Sequence, residues 1–210
     1  TATSAPPHRN AGDPALVGRE RELASLYLWR NSVGTGAEPL HLLRGEAGMG
    51  KSRLLREVVK QAQAKGDRVA VARCYAGPGR ISLGPVAEWL GSESIRAERR
   101  ELPQEWRAEV ERLLPPEAGE RRAAPPIPMI DAWQRHHFFQ GLARALLSTS
   151  VPTLLVLDDL QWCDSETLSW LPLFLELADG QAVQVLAGVR DEQMPGNPEL
   201  AATIQHLRAA

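Results

Sequence analysis

Cysteine is nearly absent: the 210 residues hold two, Cys74 and Cys163, far apart in the chain. That pair supplies neither a disulfide framework nor a cysteine-rich zinc site, and it fits reduced thiols in the cytoplasm. Long apolar runs are missing as well. No stretch approaches the length needed to cross a bilayer, and residues 1–10 lack the apolar core of a secretory signal. Nor is there an excess of positive charge. With 24 Lys and Arg against 26 Asp and Glu the net charge is −2, so the chain as a whole offers no electrostatic footprint for nucleic acid. Lysine is scarce, with Lys51, Lys60 and Lys65 standing in a cation set otherwise made of arginine. The first residue is Thr1 and not Met, so a piece of a longer polypeptide is expected. What is present, 43% hydrophobic and 24% charged residues, is the balance of one soluble domain with a sizeable core.

One of the three lysines closes the most informative segment. Gly45-Glu46-Ala47-Gly48-Met49-Gly50-Lys51-Ser52 matches the pattern G-x-x-x-x-G-K-[ST] and lies between an apolar run and an amphipathic helix. Its glycines let the backbone turn so that successive N–H groups converge on phosphate oxygens at the positive end of the following helix. Lys51, a compact ammonium, would reach the terminal phosphates, and the Ser52 hydroxyl would coordinate Mg2+. The expected ligand is a nucleoside triphosphate, bound as ATP and left as ADP.

Periodicity organises the rest. Residues 1–14, with Pro6, Pro7, Gly12 and Pro14, read as a flexible linker, and a single domain is expected over 15–210. Helices are expected over 20–29, 51–64, 85–91, 131–147 and 199–209, and strands over 40–44, 68–73, 153–158 and 182–189. A charged amphipathic stretch over 95–114 is interrupted at Pro103, and the proline-rich segment 115–128 reads as an exposed loop. In the helix 131–147, Trp133, Phe138, Leu142, Ala145 and Leu146 are expected to face inward, and strand two alternates Val69 and Val71 with smaller residues. The fold expected is α/β, a three-layer α/β/α phosphate-loop architecture with a mostly parallel sheet. The strand order expected places strand one beside the last strand, then the 153–158 strand, then strand two.

The second motif ends that third strand. Leu154-Leu155-Val156-Leu157 is continuously apolar, as a strand buried on both faces must be, and it delivers Asp158 and Asp159 to the carboxyl edge where active groups of parallel sheets gather. Asp158 would hold Mg2+ through water, and Asp159 would orient or deprotonate the attacking water. The last strand delivers Arg190 to the same edge, where it would sense the terminal phosphate. A surface pairing of Arg190 with Asp191 or Glu192 is an equal alternative by composition. The adjacent His136 and His137 cannot face one way on a helix, so a metal site there is disfavoured. Trp162 and Cys163 read as packing beside a helix capped by Asp164 or Ser165, and Arg96, Arg99 and Arg100, interleaved with glutamates, as a solvated face.

Taken together, Leu16-Val17-Gly18-Arg19-Glu20-Arg21-Glu22-Leu23, the phosphate loop, Leu157-Asp158-Asp159-Leu160-Gln161-Trp162 and the strand ending in Arg190 resemble the ATPase domain of STAND-type signalling ATPases. The nearest look is to large ATP-dependent bacterial transcriptional regulators with LuxR-type or SARP-type DNA-binding domains. By that resemblance Val17, Gly18 and Arg19 hold adenine, a further strand pairs beside strand one beyond this segment, and nucleotide state controls neighbouring domains, with self-association as a further partner relation. DNA contact would then fall to an attached domain. Two other classes stay open: an AAA-type motor or replication loader, and a module that holds nucleotide without turnover. Asp159 is one methylene shorter than the glutamate common in motors, and slow hydrolysis is the expectation.

Overall fold

Hydrophobic strands covered on both faces set the architecture. The computed structural model describes residues 18–36, 38–77, 81–114, 131–149, 151–194 and 197–209; the linker 1–14, Val17 and the proline-rich segment 115–128 lie outside them. The described elements are α1 (Glu20–Asn31), β1 (Leu40–Gly45), α2 (Lys51–Ala64), β2 (Arg68–Arg73), α3 (Gly84–Gly91), α4 (Glu93–Arg96), α5 (Gln104–Leu113), α6 (Ala132–Leu147), β3 (Thr153–Asp158), α7 (Ser165–Ala178), β4 (Val183–Arg190) and α8 (Pro198–Ala209). Three short 3-10 turns occur at Glu98–Glu101, Leu160–Trp162 and Asp191–Gln193.

The strands form one parallel sheet in the order β1-β4-β3-β2, the order expected. Alternation along the two central strands divides the core into two layers. Leu154, Val156 and Leu186 pack with Leu26 of α1 and Leu54, Leu55, Val58 and Ala62 of α2. Leu155, Leu157, Val183, Val185, Ala187 and Val189 point the other way, into a cluster with Trp89, Leu142, Leu146, Trp170 and Phe174 from α3, α6 and α7. Both large indoles bring their N–H to a carbonyl, Trp89 to Val156 at 2.9 Å and Trp170 to Phe139 at 3.0 Å, so neither buries an unpaired donor.

A polar tie fastens α1 at the opposite edge of the sheet from the strand carboxyl ends. Arg30, 1% exposed, donates to Asp67 Oδ2 at 2.9 Å and to Gln184 Oε1 at 2.9 Å, and the Gln184 amide donates on to the Trp29 carbonyl at 2.9 Å. Burial lowers the Arg30 pKa and the Asp67 carboxylate opposes that shift. On the other face α6 comes so close to α5 at Gly141 that a Cβ there would sit 2.7 Å from the Cβ of Glu109.

One packing expectation is corrected, and one left open is settled. Trp133 is 72% exposed and stacks on His137 with ring centroids 5.5 Å apart. On β2 it is Ala70 and Ala72 that are buried, while Val71 is 52% exposed; an edge strand with α3 and α4 close over one face accepts small residues inward. The 95–114 stretch is divided into α4, a 3-10 turn and α5, the last opening directly after Pro103, which has no N–H to lose at a helix entrance.

Candidate functional site

Parallel pairing brings four strand ends together. Gly45 is in register with Arg190, and Arg73 with Asp158, so the ends of β1, β4, β3 and β2 form a continuous row. From the first of these runs the phosphate loop. Gly48 at φ 79 and Gly50 at φ 82 occupy the left-handed region, Gly50 as the residue that caps α2, and side chains there would be strained. Lys51 begins the helix and turns its ammonium back over the loop, donating to the carbonyls of Gly45 at 2.8 Å and Glu46 at 2.7 Å. Ser52 donates its hydroxyl to Asp158 Oδ1 at 3.2 Å, which joins the loop to the end of β3. The same oxygen accepts the Asp159 N–H at 3.0 Å. Gly188, beside Asp158 on β4, keeps this corner open: a Cβ there would lie 3.2 Å from Asp158 Oδ1.

Asp159 takes a left-handed backbone, φ 60, at the strand end and is 7% exposed. Its carboxylate is held on both sides. Oδ2 accepts from Arg73 Nη2 at 3.0 Å, and Oδ1 from Arg190 Nη2 at 3.1 Å and from Gln161 Nε2 at 2.9 Å. Burial pushes this carboxyl upward, but the hydrogen bonds from Gln161 and Arg73 with the charge of Arg190 outweigh it and hold it below the ordinary carboxylate value. Such an anion is well placed to fix donors and is a weak proton acceptor.

Arg190 thus pairs with neither of the two carboxylates that follow it. Asp191 takes Arg44 at 2.8 Å, and Glu192 Oε1 accepts the backbone N–H of Ala47 in the phosphate loop at 2.9 Å. Arg19 reaches the loop from the other side, donating to the Met49 carbonyl at 3.2 Å while pairing with Glu22 at 2.7 Å, and Gly18 precedes it. Val17 lies outside the described residues.

Three residues of this site escaped the sequence reading. Arg73 was legible in principle, since it ends a strand at the carboxyl edge of the sheet. Gln161 stands within the Leu157–Trp162 motif and Glu192 is named only as a partner for Arg190, so neither is given a role at the site. Gln161, 3% exposed, is a hub: besides binding Asp159 it accepts the Arg190 N–H at 3.1 Å, and its own carbonyl takes the Asn197 amide at 3.4 Å. The two distant cysteines also meet here. Both are free and buried, and the hydrogen bond to Cys163 together with burial pushes the Cys74 thiol far above its ordinary pKa. Asp164 rather than Ser165 caps α7, accepting Thr167 N at 2.9 Å.

A parallel sheet whose carboxyl edge carries a glycine-built loop, a helix starting on Lys-Ser and an adjacent strand-end carboxylate defines the class of phosphate-loop nucleotide-binding proteins. Within that class the chain belongs to the AAA ATPase domain family, which it matches over residues 15–186. Its fold is similar to that of the ORC2 protein of Aeropyrum pernix, solved in ADPNP-ADP complexes, with a TM-score of 0.53 at 18% identity, covering 93% of this chain and 48% of that one. A Drosophila ORC structure bound to DNA gives a TM-score of 0.47 at 15% identity over 87% of this chain and 86% of that chain. An uncharacterized protein of Rhizobium meliloti (strain 1021) is 39% identical over 72 residues, 34% of this chain. The matched region is 7% of that relative's length. Among the described residues no helix is long and apolar enough to cross a membrane.

Proposed function

We propose that this chain is an ATP-binding, slowly hydrolysing switch domain over residues 15–210, and that its nucleotide state sets how neighbouring domains of a larger transcriptional regulator are packed. The observation that carries the nucleotide half is the convergence of Lys51, Ser52 and Asp158 on one edge, with the Ser52 hydroxyl 3.2 Å from the Asp158 carboxylate. The regulator half rests on the sequence resemblance alone; family membership supports the ATPase half.

In this reading the loop N–H groups and Lys51 bind the phosphates, Lys51 leaving the Gly45 and Glu46 carbonyls to do so. Ser52 and Asp158 are hard oxygen donors side by side and fit Mg2+, which when bound there supplies charge neutralisation to the phosphates. Arg19, at the start of α1, donates to the loop at Met49, and by the family resemblance Val17, Gly18 and Arg19 are the adenine-holding residues. Asp159 orients the attacking water, and Arg190 turns from Asp159 to the terminal phosphate, so that triphosphate and diphosphate differ in what Arg190 holds.

A second reading, nucleotide held without turnover, is favoured by one observation: the Asp159 carboxylate is engaged by Arg73, Arg190 and Gln161. Asp159→Asn separates the two. It keeps the shape and should bind MgATP, and on the switch reading it turns ATP over far more slowly than wild type; equal and negligible turnover in both favours the holding module. Lys51→Ala should abolish binding of both nucleotides, and undiminished ATP affinity in that variant would sink the phosphate-loop assignment. For the regulator, operator DNA affinity of the full parent chain is expected to differ between its ATP and ADP forms.

A further inference from the structure

The turn after β4 lies on the phosphate loop, and register puts it there. Because Arg190 pairs alongside Gly45, the first glycine of the loop, whatever follows Arg190 must run beside whatever follows Gly45. The 3-10 turn Asp191–Gln193 does so, and it is fastened at two points: Asp191 to Arg44 of β1 at 2.8 Å, and Glu192 Oε1 to the Ala47 N–H at 2.9 Å. The N–H groups of this loop stand at the amino end of α2, where the helix field favours an anion. One of them already has one. The Lys51 ammonium is likewise occupied by carbonyls of its own loop, so donor and cation of the cradle are both satisfied from within the chain.

We propose that Glu192 is an internal anion of the phosphate loop: its carboxylate stands where nucleotide phosphate binds, and nucleotide must displace it. This rests on the nucleotide reading above and adds an affinity-setting residue to it. Glu192 is exposed, so its carboxylate is released to water at little desolvation cost, as a displaceable competitor must be. Displacement has a built-in consequence, since Glu192, Gln193, Asn197 and Glu199 line a cavity of about 730 Å³ together with Gln161 and Asp164. Phosphate entering the loop would therefore move the Asp191–Gln193 turn that follows β4.

The test is nucleotide affinity of the 210-residue chain, read by fluorescence titration with labelled MgATP and MgADP. Glu192→Ala and Glu192→Gln should both bind more tightly than wild type, by roughly three- to tenfold for an exposed charge-assisted hydrogen bond, with the glutamine variant gaining less because its carbonyl still accepts the Ala47 N–H. The gain should narrow as salt is raised, because the competing carboxylate is screened by ions, which a purely structural role would not show. Unchanged or weaker affinity in both variants, with Lys51→Ala still abolishing binding, would overturn the competition and leave the nucleotide reading intact. Binding that is insensitive to Lys51→Ala in every background would overturn both.

Discussion

Arg73 and Arg190 hold one carboxylate from opposite sides at nearly equal distance, 3.0 and 3.1 Å, yet their contributions should differ. At equal separation Coulomb energy depends on the surrounding dielectric, and the two side chains differ in that: Arg73 is 54% exposed, Arg190 33%, against a carboxylate side chain that is 9% exposed. The Arg73 pair is screened by water and belongs with surface pairs worth about 0.5 kcal/mol. The Arg190 pair, which shares Oδ1 with the buried Gln161 amide, belongs with hydrogen bonds to charged groups worth about 1.5 kcal/mol. Double-mutant cycles built from Arg73→Ala, Arg190→Ala and Asp159→Asn, read by urea unfolding, isolate the two couplings. Raising the salt to about 0.5 M should erase the Arg73 coupling and leave most of the other.

The same magnitudes bear on turnover. If Asp159 orients water, Arg73 holds back Oδ2, and removing a restraint of about 0.5 kcal/mol should raise the rate of phosphate release about twofold with ATP affinity unchanged. An Arg73 coupling equal to or larger than that of Arg190, or one that survives high salt, would refute the dielectric argument. A fall in turnover would refute the restraint.

Arg30→Met strands the buried Gln184 amide and leaves the partly buried Asp67 carboxylate without its partner, and should cost about 3 kcal/mol in urea unfolding; a loss below about 1 kcal/mol would mean that the tie at α1 contributes little. Gly141→Ala should destabilise, because about 2 kcal/mol of overpacking against Glu109 and Trp106 exceeds the helix-propensity gain of about 1 kcal/mol; a more stable variant would show that α5 and α6 part freely. Asp159 has a folded-state pKa below its unfolded value of about 3.9, so its stabilisation is fully present above that value and is lost as pH falls through the folded pKa. The stability difference between wild type and Asp159→Asn should accordingly be flat from about pH 5 to 8 and shrink below about pH 4, in thermal melts across that range.

How far the chain could be read in advance depended on whether the signal was local. The loop from Gly45 to Ser52 is contiguous, and the steric demand for glycine with the need for one compact cation leaves a mark in eight residues. β3 is nearly as plain, since only a strand covered on both faces is uninterrupted Leu and Val. Periodicity failed where it had to supply what lay opposite. Trp133 falls on the periodic stripe of α6, but no described element covers it; on β2 the alternation was legible, and which set faces the crowding helices, the alanines, was not. The polar contacts of the site were the least accessible. Arg73 and Asp159 are 86 residues apart, and Glu192 and Ala47 145, so only the strand register, a property of the whole sheet, says that they meet.

Register also explains why backbone strain collects where it does. Asp159 and Leu83 are the non-glycine residues with positive φ among those described, at 60 and 57, and both are bound to the segment that leaves β3. Aspartate tolerates the left-handed region through its short polar side chain, and the turn it makes lies between the ends of β2 and β4, where Arg73 and Arg190 hold it. Leucine has no such compensation. Leu83 is kept there by burial and by its N–H, which donates to Asp164 Oδ1 at 2.9 Å, the same oxygen that caps α7. Residues 158–164 therefore join three things: the carboxylates beside the phosphate loop, the entrance of α3, and the start of α7. Gln161, between them, ties Asp159 to the Arg190 backbone and to Asn197 at the head of α8. On the switch reading, whatever Asp159 and Arg190 release when phosphate enters is felt first by Gln161, and then by α8, which packs against α7 through Leu200 and Ile204 at the far end of that chain of bonds.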